Sequence, residues 1–215
     1  MEVLYLHGFA SSARSSKAIF FAGRLAPHGV ALRTPDFNEP DFSTLTISRM
    51  IEQVGRGIEE VEDGPVVLIG SSLGSFVAIQ AALRWPARVD RLVLLAPAID
   101  LRAERMEELG DRGVAEWKAT GQTNVFHYAY GRMMGLGYGL YQDARQYNSV
   151  DAAPTLPIQV FQGRRDTAVD PRTVEQWASS RSNVELHMLD DDHQLLGSLE
   201  CIWNEMQRFL FTSRG

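Results

Sequence analysis

A serine in a glycine-rich turn is the residue of this sequence best placed for covalent chemistry. Ser72 lies at the centre of Gly70-Ser71-Ser72-Leu73-Gly74, a Gly-x-Ser-x-Gly pattern. The apolar run 66–69 before it is typical of a buried strand, and the residues after it repeat at helical spacing. A serine on such a sharp strand-to-helix turn presents its hydroxyl away from the sheet. The pattern therefore predicts a nucleophilic Ser72, with an ordinary strand-to-helix loop as the alternative.

A serine nucleophile needs a base, and the base needs an acid to orient it. Asp166 follows the apolar run 157–161, and His193 follows the run 184–189. Loops after parallel strands meet at one edge of a sheet, so both side chains are expected near Ser72. The chain order Ser, Asp, His is the order that this architecture uses. These three residues are the predicted catalytic triad.

Other carboxylates compete with Asp166 for the role of orienting acid. Asp170 precedes Pro171, which is typical of a residue that caps the start of a helix. The acidic run 190–192 is adjacent to His193, and side chains of adjacent loop residues usually diverge. Asp166 is therefore the predicted acid.

Acyl transfer also needs hydrogen-bond donors for the negative oxygen that develops in the transition state. The backbone N–H of Leu73, directly after the nucleophile, is one expected donor. The second should come from the loop after the first strand, where the sequence reads His7-Gly8-Phe9. Phe9 is the predicted donor there, and its side chain is expected to wall the acyl site.

The apolar pattern also predicts the elements that position these residues. Strands alternate with amphipathic helices, which indicates a mainly parallel sheet covered by helices on both faces. Residues 1–215 are thus expected to form a single α/β domain. Six strands are predicted, at residues 2–6, 30–33, 66–69, 89–95, 157–161 and 184–189.

Residues 100–150 interrupt this alternation. Short helices are predicted at 102–108 and 113–120, followed by a stretch at 125–141 that is rich in aromatic residues, methionine and glycine. The segment adjoins the sheet edge at which open α/β proteins bind ligands. We expect a lid over an apolar acyl pocket, and a plain cover of the sheet edge is the alternative. The predicted pocket residues are Phe9, His127, Tyr130, Met133 and Met134.

Composition argues against several functional classes. A net charge of −6 and a pI near 5.4 give no electrostatic basis for binding nucleic acid or an anionic membrane surface. The one cysteine, Cys201, excludes an internal disulfide and a cysteine-based metal site, and its apolar helical context predicts a core thiol. No apolar run approaches the length of a membrane span. A strand-like segment follows Met1 closely, so we expect no signal peptide and a cytoplasmic location.

The motifs described above resemble those of α/β-hydrolases, most closely the small bacterial esterases of the YqiA-like group. The resemblance implies an α/β-hydrolase fold whose sheet lacks the first two strands of larger relatives, and a cofactor-free hydrolase of carboxylic esters or thioesters. The sequence predicts no metal site, and the expected substrate is a small acyl ester or thioester. Two residues depart from the family pattern: Ser75 replaces a common glycine, and Asp192 precedes His193 where a small or neutral residue is usual. The residues that carry the resemblance are Tyr5-Leu6-His7-Gly8-Phe9, Ser11-Ser12, Ser15-Ser16-Lys17 and Gly70-Ser71-Ser72-Leu73-Gly74, with Asp166 and His193 as acid and base.

Two other functions remain compatible with the same residues. An acyltransferase would use the same triad, with an alcohol or amine in place of water. A non-catalytic ligand-binding module could use the same scaffold, because a fold does not fix a function. Haloalkane dehalogenation is disfavoured because it needs a carboxylate at position 72. A dinucleotide-binding fold is disfavoured because Gly-x-Gly-x-x-Gly does not follow the first strand.

Overall fold

Eight strands are present in the computed structural model, which describes residues 1–62, 64–101, 113–152 and 154–211. Six of them form one parallel sheet in the order β2-β1-β3-β4-β7-β8, and β5 and β6 form a separate antiparallel hairpin. The strands are β1 (Glu2–Leu6), β2 (Leu32–Arg33), β3 (Val66–Ser71), β4 (Val89–Leu95), β5 (Gln122–His127), β6 (Arg132–Gly137), β7 (Ile158–Gly163) and β8 (Val184–Leu189).

The six predicted strands are confirmed, with differences of one or two residues at some ends. The helices over the described residues are α1 (Ser16–Leu25), α2 (Ile47–Glu59), α3 (Leu73–Arg84), α4 (Gly113–Thr120), α5 (Gly139–Ala144), α6 (Pro171–Ser179) and α7 (Leu199–Phe211). The helix predicted at 102–108 lies outside the described residues. No helix in the described ranges combines the length and apolar character that a bilayer span requires.

Helices cover both faces of the sheet, and each face has its own apolar core. Alternate strand residues point to opposite faces, so Leu4 of β1 belongs to the apolar core that contains side chains of α2, α3 and α6, whereas Val3 belongs to the core that contains side chains of α1 and α7. Helix α7 buries Ile202, Trp203, Met206 and Leu210. Cys201 lies outside this buried stripe and is exposed, so the prediction of a core thiol was wrong.

The described part of the 100–150 insertion packs into the core on the α2 and α3 face. Trp117 of α4 is fully buried there and donates a hydrogen bond from Nε1 to the Leu136 carbonyl at 2.9 Å. Asp143 of α5 accepts two hydrogen bonds of 2.6 Å, from the backbone N–H and the hydroxyl of Ser48 at the start of α2. The hairpin and α5 are therefore fixed to the α/β core by both apolar packing and polar contacts.

The turn between β3 and α3 requires two glycines because the backbone approaches itself closely there. A Cβ on Gly74 would lie 2.0 Å from the Leu6 carbonyl oxygen, at the end of β1. A Cβ on Gly70 would lie 2.5 Å from the Cα of Ser75. Real Cβ atoms do not approach other heavy atoms this closely. The end of β1 is thus held against the first turn of α3.

We predict that Gly74→Ala destabilises the protein by about 3 kcal/mol or more, because the added methyl meets rigid backbone rather than a movable side chain. Urea denaturation followed by circular dichroism measures this free energy of unfolding. Gly23→Ala is the matched control, since Gly23 lies in α1 with nothing within 4 Å of an added Cβ. That variant should gain about 0.5–1 kcal/mol. Equal effects of the two substitutions would contradict the assigned backbone approach.

Candidate active site

Ser72 occupies the tight turn between β3 and α3 in a strained backbone conformation. Its φ is 52° and its ψ is −116°, and it forms the N-cap position of α3. The Ser72 N–H donates to the Leu95 carbonyl at 2.9 Å, and the Ser72 carbonyl accepts from Ser75 at 2.9 Å. Ser75 is fully buried and donates its hydroxyl to the Gly70 carbonyl at 2.8 Å, so a serine fits where the family often has glycine. The turn presents the Ser72 hydroxyl at the carboxyl edge of the sheet.

The structure brings the three predicted triad side chains into one hydrogen-bonded chain. His193 Nε2 lies 3.1 Å from Ser72 Oγ, and His193 Nδ1 lies 2.8 Å from Asp166 Oδ2. Because the Asp166 carboxylate accepts from Nδ1–H, Nε2 is left to accept the serine proton. This arrangement is the one that a serine nucleophile and its general base require.

Asp166 is buried but fully supplied with hydrogen-bond donors. Its Oδ1 accepts from the backbone N–H groups of Ala168 and Val169, each at 2.9 Å, and its Oδ2 also accepts from Gln162 Nε2 at 2.9 Å. Burial alone would raise the pKa of Asp166, but the hydrogen bonds from His193, Val169 and Gln162 outweigh it and hold the pKa below its usual value. The carboxylate therefore stays ionised beside the imidazole.

The rival carboxylates have other partners. Asp170 caps α6, accepting from the backbone N–H of Arg172 at 3.0 Å. Asp192 accepts from the backbone N–H of Gln194 at 2.8 Å. Neither carboxylate has a hydrogen bond with His193 among the contacts of the described residues. Asp166 is thus the carboxylate that contacts the histidine.

Two backbone N–H groups beside Ser72 have no hydrogen-bond acceptor among the described residues. They belong to Leu73, the first residue of α3, and to Phe9, in the loop after β1. A Cβ on Gly8 would be 3.4 Å from the Ser72 Cβ, which shows that the loop after β1 lies close to the turn that carries Ser72. His7 is buried and holds the loop by donating from Nδ1 to the Gly8 carbonyl at 2.9 Å. These N–H groups are candidates for binding an oxyanion, as the sequence predicts.

A mostly apolar cavity of about 180 Å³ opens at Ser72 and His193. Since a water molecule occupies about 30 Å³ in the liquid, this volume admits an organic group rather than a single water. The insertion contributes Leu140 of α5 to its wall, as well as Asp100 and Leu101 at the start of the insertion. Its other described lining residues are Phe9, Ile47, Leu73, Ala98, Ile99, Ala168, Val169, Asp170 and Thr173.

Of the five predicted pocket residues, Phe9 lines this cavity and the other four lie elsewhere. His127 is fully buried against Asn38, and Met134 packs on the core. Tyr130, in the turn of the hairpin, is 46% exposed, and Met133, on β6, is 55% exposed. The prediction for these four residues is corrected, because none of them is among the described residues that line the cavity. Side chains of the two hairpin strands alternate between solvent and core, which places Met133 outward and His127 inward.

The sequence analysis assigned no role in the site to two polar residues, Gln162 and Lys17. Gln162 is fully buried in β7, and its only signal was a polar side chain within an apolar strand run. Lys17 is 8% exposed and donates to the Gln194 carbonyl at 2.8 Å, next to His193. Its signal was its helical spacing to Phe21 and Leu25, which places this lysine on the buried face of α1. Gln162 contacts Asp166 and Lys17 contacts the neighbour of His193, and neither of them is among the residues that line the cavity.

Metal-ligating side chains also meet on β8 and α7. Glu185, His187 and Glu205 offer ligand atoms within 4.8 Å of one another. His187 Nε2 already pairs with Glu185 at 2.8 Å, and its ring stacks on Phe161 at 4.8 Å. These residues do not line the cavity at Ser72, and Glu205 pairs with Arg208 at 3.0 Å.

Lys17 gives the site a predicted pH signature. Burial lowers the pKa of its ammonium to about 8, against the opposing attraction of Asp192, Asp166 and Asp191. The unfolded lysine has a pKa of about 10.4, so between about pH 8 and 10.4 the unfolded chain binds more protons at this group. Stability conferred by this residue therefore rises with pH across that window. Wild type should gain about 2–3 kcal/mol relative to Lys17→Met between pH 7 and pH 10.

Urea unfolding of both proteins at pH 7 and pH 10 measures this difference. Lys118→Met is the matched control, because Lys118 is exposed on α4 and should show no such change. A difference that stays constant with pH for Lys17→Met would contradict the buried, weakened ammonium.

Known proteins with similar sequences include a lipase and a thioesterase. The chain is 32% identical over 120 residues to lipase LipV of Mycobacterium tuberculosis, covering 53% of this chain and 44% of the lipase. It is 22% identical over 182 residues to the mouse mitochondrial palmitoyl-protein thioesterase ABHD10, covering 78% of this chain and 59% of the thioesterase. This chain thus spans about half the length of these two relatives.

Solved structures share the fold. The structure of mouse α/β-hydrolase domain-containing protein 10 superposes with a TM-score of 0.81 at 19% identity, over 97% of this chain and 89% of that one. Est1E of Butyrivibrio proteoclasticus, solved with ferulic acid, superposes with a TM-score of 0.82 at 20% identity, over 97% and 87% of the two chains. A family model described as "Uncharacterised protein family (UPF0227)" matches residues 2–210. The chain therefore belongs to the UPF0227 family and has the α/β-hydrolase fold.

Proposed function

We propose that this protein hydrolyses carboxylic esters or thioesters through an acyl-enzyme formed on Ser72. The observation that carries the proposal is the hydrogen-bonded chain from Asp166 through His193 to Ser72, which ends at an apolar cavity. Similarity to a protein named as a lipase and to one named as a palmitoyl-protein thioesterase supports the same reaction class. The substrate is a small acyl ester or thioester.

The first half-reaction transfers the acyl group to the protein. Ser72 Oγ attacks the carbonyl carbon while His193 Nε2 takes the hydroxyl proton, and the carbonyl oxygen becomes an oxyanion. The N–H groups of Phe9 and Leu73 donate to that oxyanion, assisted by the positive end of the α3 dipole. When the tetrahedral intermediate collapses, His193 donates its proton to the leaving alcohol or thiol. Asp166 stabilises the imidazolium throughout.

The second half-reaction releases the acid. Water enters the place of the departed alcohol or thiol, and His193 Nε2 takes one of its protons as the oxygen attacks the acyl-enzyme carbonyl. Collapse of the second tetrahedral intermediate breaks the bond to Ser72 Oγ, which recovers its proton from His193. The apolar cavity wall favours uncharged acyl groups, because a charged group would lose its hydration there.

A panel of p-nitrophenyl esters of increasing acyl length tests this proposal. Ser72→Ala should remove catalysis, lowering kcat by about 10⁴-fold or more, since no other group can form the acyl-enzyme. Asp166→Asn should lower kcat by about 10⁴-fold, because the amide stabilises the wrong histidine tautomer. Release of p-nitrophenol measures both losses.

Asp192→Asn is the control for Asp166→Asn. The asparagine oxygen can still accept from the Gln194 N–H, so kcat should stay within a few-fold of wild type. Two outcomes would contradict the proposal: wild-type turnover by Ser72→Ala, or loss of activity in Asp192→Asn with activity retained in Asp166→Asn.

A further inference from the structure

The turn that carries the Phe9 N–H has a backbone conformation that needs external support. Ala10 has a φ of 51° and is 1% exposed. Residues with a Cβ rarely adopt this left-handed conformation unless the surrounding structure holds them in it. The position of the Phe9 N–H therefore depends on the groups that grip this turn.

Two hydrogen bonds from other parts of the chain grip the turn. Ala129, in the turn of the β5–β6 hairpin, donates its N–H to the Ala10 carbonyl at 3.2 Å. Asn38, in the loop after β2, donates from Nδ2 to the Ser11 carbonyl at 2.9 Å. The hairpin therefore contacts the loop that carries Phe9 while remaining outside the described wall of the cavity.

The orientation of the Asn38 side chain is fixed by its partners. Its Nδ2 faces two oxygens, the Ser11 carbonyl at 2.9 Å and Asp36 Oδ1 at 2.8 Å, so the amide nitrogen must point toward them. Its Oδ1 then faces His127 Nε2 at 3.0 Å. An acceptor at that distance requires that His127 carry its proton on Nε2.

His127 acts as a neutral hydrogen-bond donor. It is fully buried, and its Nδ1 has no hydrogen-bond partner among the described residues. Burial lowers the pKa of His127, and the nearby His7 lowers it further. The neutral Nε2–H tautomer is therefore the form that holds Asn38.

The His127 ring is also fixed by aromatic packing that leads to Phe9. It stacks on Tyr130 with centroids 4.1 Å apart and planes at 12°, and it meets Phe42 edge-on at 4.7 Å. Phe42 in turn packs against Phe9 with centroids 5.7 Å apart. His127 is therefore connected to the loop that carries Phe9 in two ways, by hydrogen bonds through Asn38 and by aromatic contacts through Phe42.

We propose that His127 is a positioning residue that, through Asn38, fixes the Phe9–Ser11 turn so that the Phe9 N–H faces the developing oxyanion. The inference rests on the proposed ester hydrolysis, in which that N–H is a donor. The β5–β6 hairpin accordingly holds the Phe9–Ser11 turn in place, and its buried His127 acts without contacting the substrate.

His127→Leu tests the proposal through kinetics and inhibitor binding. Deleting an oxyanion donor costs about 10²–10³-fold in kcat, and misplacing one should cost about 10–100-fold. KM should change little, because the ground-state carbonyl needs the donor less than the oxyanion does. The affinity of an alkyl trifluoromethyl ketone, which forms a tetrahedral oxyanion on the serine, should fall by the same factor as kcat.

His127→Gln and Tyr128→Ala are the matched variants. The glutamine amide can donate to Asn38 Oδ1, so this variant should recover most of the lost kcat. Tyr128 is 76% exposed on the same hairpin, and its alanine variant should keep wild-type kcat and inhibitor affinity. If His127→Leu does not fold by circular dichroism, Asn38→Ala removes the same link from the other side and should show the same paired losses.

The outcomes separate this inference from the proposed function. Wild-type kcat and inhibitor affinity in the folded His127→Leu or Asn38→Ala protein would overturn the positioning role, provided that Ser72→Ala is inactive. A kcat loss without any loss of trifluoromethyl ketone affinity would also overturn it. Wild-type turnover by Ser72→Ala would instead overturn the proposed function itself.

Discussion

The close approach of the first turn of α3 to the end of β1 is the constraint on which the rest of the site depends. Without a side chain on Gly74, the helix reaches the Leu6 carbonyl, and the loop after β1 comes alongside Ser72. Leu73 and Phe9 line the same cavity as Ser72, and their N–H groups have no acceptor among the described residues. One backbone contact thus positions Ser72 beside both candidate oxyanion donors, and it leaves little freedom for any of them.

Buried charge on the other side of the serine is stabilised by dense hydrogen bonding. Asp166 accepts from two backbone N–H groups and Gln162 as well as from His193, so it stays ionised despite its burial. Lys17 offsets the negative charge of the neighbouring carboxylates and holds the carbonyl next to His193. The nucleophile side of the site is fixed by backbone geometry, whereas the base side is fixed by paired polar groups.

Local patterns in the sequence were sufficient to predict the strands of the sheet, the tight turn at Ser72 and the chain order of the proposed triad. The run 66–69, for example, is apolar enough to predict a strand buried on both faces, and the Gly70 and Gly74 that follow it leave few structural alternatives. Tertiary contacts were not visible in the same way. The stretch 125–141 was predicted to line the pocket because it is aromatic, but its antiparallel pairing turns Met133 outward and His127 into the core. The hydrogen bond between His127 and Asn38 joins residues far apart in the chain, so no local sequence pattern predicts it.

Covalent labelling with a fluorophosphonate tests the central claim most directly, because the reagent reacts with an activated serine and stays attached. Intact-mass measurement should find one adduct per chain, and peptide mapping should locate it on Ser72. Heat-unfolded protein, in which the chain from Asp166 to Ser72 is broken, should remain unlabelled. An adduct on Ser71 or Ser75, or no adduct on well-folded protein, would contradict the account of Ser72 as the nucleophile.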